Sequence, residues 1–347
     1  MMPILSVVVT TYENGRLNDI DDLTKSIALQ QESNFEVIFV VEGSRAYASR
    51  VESICRCHLA SNWKVILNTE KPGISASRNI GVKNSGGSIV AFVDDDVLLP
   101  KQWAQTLVDS FSSSDVGAVT GGAWPLYMDT DASWLPSSLH WLIGSTDWYH
   151  QSRRSETRAV WGMNMAFRRF VFDRGLEFPE RVGGVHGRNI HGEEQVISYR
   201  VRTELGMKVV FDPNLVVLHK VYKFRLAPRQ VWKNAFHMGR TRRMIQCLYD
   251  KKDPLQIERS LIRRMAEEGF AKPLFELWFS PRRAVRTIYV TAFSFVAAAL
   301  GYLSGLNYCG GRISAKYDSK QITAGNSRVE SSTVHSIPKD RSIPRRK

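Results

Sequence analysis

The chain has 347 residues, of which 43% are hydrophobic and 23% are charged. These proportions are those of a folded globular protein, and they exclude a collagen-like, wholly disordered or polytopic membrane chain. The length predicts one large domain with an appendage, or two domains. The formal net charge of +13 indicates an anionic partner, and a nucleic acid, an anionic lipid surface and a phosphorylated substrate all fit it.

The first part of the chain alternates strand and helix patterns. Apolar or β-branched runs of strand length cover residues 4–11, 35–41, 63–68 and 88–93, and helical stretches separate them, the first near 23–31. This alternation predicts an α/β fold with a mainly parallel sheet that helices cover on both faces. Ligands of such sheets bind beyond the carboxyl ends of the strands. The polar residues that follow each run are therefore the candidates for a functional site.

The sequence pattern changes twice after this alternation of strands and helices. Residues 121–158 are rich in Trp, Pro and Ser, which predicts long loops or a substrate-facing insertion, and residues 209–219 return to strand character. From Pro228 onward the sequence is helical and strongly basic. We predict a main α/β domain over residues 1–227, a helical basic region over 228–308 and a disordered tail over 309–347.

An apolar stretch lies within the helical region, at residues 287–306. It contains no Asp, Glu, Lys or Arg, and it has the length needed to span a bilayer. Basic residues flank it on both sides, so the positive-inside rule does not orient it. Spanning a membrane, lying at its interface and packing as a buried helical pair all remain open.

The sharpest chemical feature is an apolar strand, residues 90–93, that runs directly into Asp94, Asp95 and Asp96. Carboxylates this close repel one another unless a cation holds them, and oxygen ligands suit Mg²⁺ or Mn²⁺. Upstream, residues 73–81 form a small-residue loop with one cation, Arg78, which is typical of a phosphate or ribose contact. The alternative interpretation of the three acids is a solvated turn.

Four segments in this order resemble the nucleotide-binding half of family 2 glycosyltransferases with the GT-A fold: SVVVTTYE at 6–13, VEGS at 41–44, GISASRNIG at 73–81 and DDD at 94–96. Residues 161–168 and 191–194 resemble the acceptor-side segments of that family, so the resemblance covers about residues 4–225. It implies a GT-A catalytic domain that transfers a sugar from a nucleotide diphosphate sugar with inversion. It also implies a divalent metal cofactor, Mn²⁺ or Mg²⁺.

The resemblance implies a metal site at the three acids. Asp96 is the first choice for metal ligand, and Asp94 is a second ligand or helps to position the ribose or the second coordination shell. Asp95 can exchange roles with either, because sequence alone does not separate adjacent carboxylates. His219, which ends a strand pattern, is expected to add a metal or diphosphate contact, and a surface histidine is the alternative.

The resemblance also implies a nucleotide site. Relatives commonly carry two acids where this chain has only Glu42, so Glu42 is the candidate partner for the ring N–H of the base, and a uracil nucleotide is favoured by analogy. The residues expected to line the same pocket are Thr11, Tyr12 and Glu13. Lys71 and Arg78 are expected to contact phosphate or ribose, unless each pairs with a carboxylate.

Inverting transfer needs a base that removes the proton of the acceptor hydroxyl. Glu193 and Glu194 stand where the family usually has Glu-Asp, so Glu194 occupies the position of the base and Glu193 is the second candidate. If both acids only stabilise a helix N-terminus, neither is catalytic. Trp161 and Asn164, in the other acceptor-side segment, are expected to bind the acceptor.

These observations predict transfer of a sugar, UDP-linked by analogy, to a polyprenyl- or dolichyl-phosphate-linked glycan in glycan or glycoprotein assembly. Within the family, the resemblance is to archaeal-type enzymes that extend dolichyl-phosphate-linked sugars, including a glucuronosyl-transferring group. One alternative is a glycosyltransferase of exopolysaccharide synthesis. Another is a nucleic-acid-binding protein that uses the basic clusters at 229–243 and 259–264. A nucleic-acid-binding function does not explain the acidic residues, so we expect no nucleic-acid partner.

The expected location combines two observations. The four cysteines lack metal-finger spacing, which indicates reduced thiols in a cytosolic compartment. The first residues enter a strand pattern without a basic leader or a cleavage site, so no secretory signal is recognised. Together with the apolar stretch, this predicts a protein at the cell membrane whose catalytic domain is cytoplasmic.

Overall fold

The computed structural model describes residues 4–13, 15–32, 34–149, 151–180, 192–248 and 256–305. The strands in these ranges are β1 (Leu5–Tyr12), β2 (Phe35–Glu42), β3 (Trp63–Leu67), β4 (Ile89–Asp94), β5 (Val97–Leu98), β6 (Val116–Tyr127), β7 (Ser155–Glu156), β8 (Asn164–Arg168) and β9 (Lys208–Val221). They form one sheet in the order β3-β2-β1-β4-β8-β6-β9-β5, and β7 pairs with β9. The predicted α/β fold is confirmed.

The same ranges contain ten α-helices. They are α1 (Leu17–Ala28), α2 (Arg45–His58), α3 (Ile74–Lys83), α4 (Trp103–Ser110), α5 (Arg169–Asp173), α6 (Glu193–Thr203), α7 (Pro228–Leu248), α8 (Gln256–Ala266), α9 (Lys272–Glu276) and α10 (Pro281–Ser304). Two 3-10 segments, Ser137–Ile143 and Lys223–Leu226, and a π-helical segment, Glu267–Ala271, complete the description.

The first four strands pair in parallel, β1 with β2 and β4, and β2 with β3. The four predicted strands are therefore confirmed. Both faces of β1 are buried, with Val7 and Val9 in one hydrophobic cluster and Val8 in another. Such burial accounts for continuous apolar runs instead of alternating ones. The first helix starts at Leu17, six residues before the predicted stretch. Its buried apolar face already includes Ile20, which the prediction left out.

The second half of the sheet is mixed. β8 is antiparallel to β4 and β6, and β6 runs parallel to β9 with a register shift at Gly121 and Gly122. The prediction of loops from residue 121 is thus wrong as far as Tyr127. The Trp, Pro and Ser content of this segment did not indicate the strand. A Cβ on Gly121 would lie 1.6 Å from the carbonyl oxygen of Leu215. The glycine permits two backbones to approach, and it does not end the strand.

A third hydrophobic cluster lies outside the two faces of the sheet. It joins the 3-10 segment after β6, through residues such as Leu139 and Leu142, to α7, α8 and α10, through Val231, Met265 and Val290. α7 begins at Pro228, as the change of composition predicts. The division into domains at 227 stays a prediction, since this cluster connects both sides of it.

α10 is the one helix in the described part of the chain that is long and apolar enough to cross a membrane, judged by length and composition. A third of its apolar window is buried inside the protein. Gly239 of α7 and Gly301 of α10 let the two helix backbones touch, because a Cβ on either would lie 1.9 Å from a carbonyl oxygen of the other helix. The last residue of the predicted apolar stretch and the predicted tail 309–347 lie outside the described residues.

Candidate active site

The carboxyl ends of β1, β2 and β4 meet at one edge of the sheet and open into a cleft of about 450 Å³. We call it the donor cleft. Among its lining residues are Thr11, Tyr12, Arg16, Glu42, Ser77, Asp94, Asp95, Asp96, His219, Arg225 and Lys233. It lies where an open α/β sheet binds its ligand, and it gathers most of the residues that the sequence assigned to the nucleotide and metal sites.

A cluster of metal-ligand type forms at the base of the donor cleft. β4 ends at Asp94, a tight turn carries Asp95 and Asp96, and β5 then pairs with β9 so that Val97 lies opposite His219. One ligand atom each of Asp94, Asp96 and His219 lies within 4.8 Å of the others. His219 is buried, so it is not a surface histidine.

The chemistry of this group fits a divalent cation. Two carboxylates supply the oxygen donors that Mn²⁺ and Mg²⁺ prefer, and a neutral imidazole is a common metal ligand. Nδ1 of His219 is buried with no hydrogen-bond partner in the part of the chain described. Burial, and then the charge of Asp96, raise the pKa of Asp94. Burial opposes ionisation of Asp96 as well, but His219, Arg225 and Arg16 hold its pKa well below the usual range. The Asp–Asp–His group is thus positioned to hold a metal ion.

Two arginines that sequence reasoning missed converge on Asp96. Its Oδ2 accepts hydrogen bonds from Arg16 at 2.8 Å and from Arg225 at 2.6 Å. Arg16 lies in the loop that follows β1, and ligand-binding residues are expected in the loops at the carboxyl ends of parallel strands. Arg225 lies six residues after His219. The sequence did contain one signal for these arginines, because three adjacent acids require cations nearby.

The structure separates the three adjacent aspartates, which the sequence did not. Asp95 accepts a hydrogen bond from the hydroxyl of Thr11 at 2.6 Å and lies 3.3 Å from Arg16. Burial, and then the charge of Asp96, raise its pKa to about 7. Asp95 thus ties the acidic turn to β1, whereas Asp94 and Asp96 belong to the metal-ligand group.

A second, smaller cavity of about 320 Å³ adjoins the donor cleft through Tyr12 and Glu42. The carboxylate of Glu42 accepts a hydrogen bond from the backbone N–H of Gly73 at 2.7 Å, and Glu13 accepts one from the backbone N–H of Ser44 at 2.9 Å. Lys71 lines the same cavity, and its ammonium lies 2.7 Å from the carboxylate of Glu180. Of the two outcomes expected for Lys71, the structure contains the carboxylate pair.

A third cavity, of about 400 Å³, is lined by residues of the two predicted acceptor-side segments and is called the acceptor cavity below. Glu193, Glu194 and Trp161 line it. It shares Asp94 and Arg225 with the donor cleft. The two spaces therefore meet beside the metal-ligand group.

The two neighbouring glutamates have different surroundings. The buried carboxylate of Glu193 lies 2.7 Å from the guanidinium of Arg78, which is itself buried. Arg78 thus lines the acceptor cavity, and of the two outcomes expected for it the structure contains the carboxylate pair. Glu194 is partly exposed, and burial, followed by the charge of Glu193, raises its pKa to about 8.

The two predicted acceptor-binding residues also differ. Trp161 lines the acceptor cavity and makes edge contacts with Tyr149 and Phe211. Asn164 is completely buried in β8, where its side chain accepts a hydrogen bond from Trp103 and donates two, to the carbonyl oxygens of Gly122 and Leu215. The prediction that Asn164 binds the acceptor is wrong, because its polar atoms already join three parts of the structure.

An α/β sheet that ends in a donor cleft with an Asp–Asp–His group, beside an acceptor cavity that Glu194 lines, has the arrangement of a GT-A type of transferase. Residues 6–176 match the sequence model of Glycosyl transferase family 2. Residues 6–176 therefore form a domain of this family, and the chain is a glycosyltransferase. This confirms the family resemblance found in the sequence motifs.

Known proteins support the same assignment. The chain is 27% identical over 248 residues to a glucosyl-dolichyl phosphate glucuronosyltransferase of Haloferax volcanii. The alignment covers 71% of this chain and 78% of that protein. The chain is 23% identical over 245 residues to glycosyltransferase AglE of the same organism, with 69% and 73% covered. Among solved structures, a mannosyltransferase of Pyrobaculum calidifontis in complex with GDP-Man and Mn²⁺ shares the fold, with a TM-score of 0.53 and 19% identity over 94% of this chain and 87% of that one.

Proposed function

We propose that this chain is an inverting, metal-dependent glycosyltransferase that moves a sugar from a nucleotide diphosphate sugar to a polyprenyl- or dolichyl-phosphate-linked acceptor. The observation that carries the proposal is the position of Asp94, which lines both the donor cleft and the acceptor cavity that contains Glu194. A donor sugar beside the metal-ligand group is thereby adjacent to a carboxyl group that can take a proton from the acceptor.

The donor cleft supplies positive charge where the leaving group gains negative charge. A divalent cation held by Asp94, Asp96 and His219 would act as a Lewis acid on the departing diphosphate. Arg16, Arg225 and Lys233 line the same cleft and are suited to bind phosphate oxygens. For the nucleoside, Glu42 supports a uracil base by analogy with the family, so UDP-sugars are the first donors to test.

On the acceptor side, we assign the base role to Glu194. The carboxylate of Glu193 is engaged by Arg78 and by the backbone N–H of Gly192, so it is less available for proton transfer. A pKa of about 8 for Glu194 lies close to a working pH, where a general base is most effective. Trp161 offers an aromatic face on which an acceptor sugar can pack.

The lipid-linked acceptor is inferred from two features. The glucosyl-dolichyl phosphate glucuronosyltransferase of Haloferax volcanii aligns with 71% of the chain, and α10 is apolar enough for a membrane. A protein at the membrane surface, with its catalytic domain on the cytoplasmic side, would meet such an acceptor where it is embedded.

The proposal is tested with the purified chain, Mn²⁺ or Mg²⁺, and a panel of UDP- and GDP-sugars. Release of nucleotide diphosphate is measured with a polyprenyl-phosphate-linked sugar, with a soluble polysaccharide as the exopolysaccharide-type acceptor, and without acceptor. We expect release that needs metal and the lipid-linked sugar, and a product of inverted anomeric configuration by NMR. Asp96→Ala and Glu194→Gln serve as inactive controls. Transfer to the polysaccharide alone would contradict the proposed acceptor class.

A further inference from the structure

An unusual set of aromatic side chains is exposed where α9 leads into α10. Phe275, Trp278 and Phe279 are 78%, 90% and 89% exposed. Exposed apolar patches of this kind mark an interaction surface in a soluble domain. None of the three lines the donor cleft or the acceptor cavity.

Further exposed apolar side chains lie along one side of α10. The exposed side chains at Val285, Tyr289, Val296, Leu300 and Leu303 recur at helical spacing and form one stripe. The opposite side of α10, with Thr287, Thr291, Ser294, Ala297 and Gly301, is buried against the rest of the protein. We call the three aromatics and this stripe together the apolar ridge.

Positive charge surrounds the start of the ridge. Residues 272–286 contain Lys272, Arg282, Arg283 and Arg286, with Glu276 as their single acidic residue, and the three arginines are exposed. Apolar side chains beside a cationic cluster are complementary to the interface of an anionic bilayer, where aromatics enter the headgroup region and arginines contact phosphates.

The packing of α10 determines how such contact can occur. α7 touches α10 backbone to backbone at Gly239 and Gly301, and Trp232 of α7 packs on Phe293 of α10. α7 also gives Lys233 to the donor cleft and Arg242 to the acceptor cavity. If α10 crossed the bilayer, α7 with its charged residues and the catalytic cavities would be drawn into hydrocarbon, which is costly.

We propose that the apolar ridge docks on an anionic phospholipid bilayer with α10 lying in the plane of the interface and not spanning it. The lipid-facing stripe and the α7-facing side of α10 are then opposite sides of one helix. This inference rests on the membrane location in the proposed function and specifies the surface that contacts the lipid. It places α7 between the lipid and the acceptor cavity.

Binding of the full-length chain to phosphatidylcholine vesicles, with and without phosphatidylglycerol, tests the docking by co-sedimentation without donor or acceptor. The measurement therefore succeeds or fails independently of sugar transfer. We expect binding that needs phosphatidylglycerol, and about tenfold weaker binding for each aromatic removed from the set Phe275→Ser, Trp278→Ser and Phe279→Ser. Arg282→Glu with Arg283→Glu should also weaken it. Leu29→Ser and Arg56→Glu, exposed elsewhere, are the matched controls and should bind normally.

Orientation is tested with single cysteines at Arg282 and Ser304, the two ends of α10, in a background where the four native cysteines are replaced by serine. An impermeant maleimide added outside sealed vesicles should label both positions if α10 lies in the plane. Labelling of only one end would show a spanning helix and overturn the inference. Binding to neutral and anionic vesicles alike, no binding to either, or a dimer that buries the ridge and is lost in the aromatic variants would overturn it too.

Discussion

Replacing Glu194 by Gln removes both the proposed base and a charge that its surroundings disfavour. Burial, and then the charge of Glu193, raise the pKa of Glu194 from 4.5 to about 8. The folded protein therefore holds this proton more tightly than the unfolded chain does. The group leaves stability unchanged below about pH 4.5 and lowers it progressively as the pH rises toward about 8. Converted in full, this pKa shift corresponds to about 5 kcal/mol of unfolding free energy. Water around the partly exposed side chain of Glu194 reduces the expected loss of unfolding free energy to about 1 to 3 kcal/mol.

We therefore expect Glu194→Gln to raise the free energy of unfolding by about 1 to 3 kcal/mol at alkaline pH and to change it little at acidic pH. The same variant should lower the transfer rate by about 10² to 10⁴. Urea denaturation at two pH values and release of nucleotide diphosphate measure the two effects. Glu204→Gln is the control, since Glu204 ends the same helix in an exposed ion pair with Arg200.

The adjacent variant Glu193→Gln separates the two glutamates. It leaves buried Arg78 without its carboxylate partner, so it should cost about 3 to 5 kcal/mol of unfolding free energy. It also removes a negative charge beside Glu194, so the rise of the transfer rate with pH should move to lower pH. Full activity in Glu194→Gln, combined with complete loss in a stably folded Glu193→Gln, would falsify the assignment of the base.

Three further predictions concern the metal group and the sheet. Asp96→Asn should abolish Mn²⁺ binding in isothermal titration calorimetry and lower transfer by at least about 10²; unchanged Mn²⁺ affinity would contradict the ligand assignment. Asn164→Ala should cost about 2 to 4 kcal/mol in urea denaturation, because it strands buried partners, whereas a changed KM for the acceptor at unchanged stability would restore its predicted role. Gly121→Ala should cost at least about 3 kcal/mol, since no Cβ fits against Leu215; a normal melting temperature would contradict the close approach of the strands.

The sequence determined the features that depend on neighbouring residues. Runs of β-branched residues predicted β1 to β4, because a strand buried on both faces requires them. The rule that ligands bind beyond the carboxyl ends of parallel strands then directed attention to Asp94 and Asp96. His219 was found in the same way, at the end of a strand pattern. Side-chain chemistry and local period were sufficient for these assignments.

The tertiary structure decided which distant residues meet. Arg78 is 115 residues from Glu193, and Arg225 is 129 residues from Asp96, so no local pattern indicates either pair. Asn164 has a sequence context like that of an acceptor segment, yet the packing of β6, β8 and β9 encloses it. The chain also fixed the apolar character of α10, but only the folded structure, with its close backbone contacts at Gly239 and Gly301, revealed that α7 already occupies one side of this helix. Pairing across long separations depends on how the whole chain closes, and for that reason it required the folded structure.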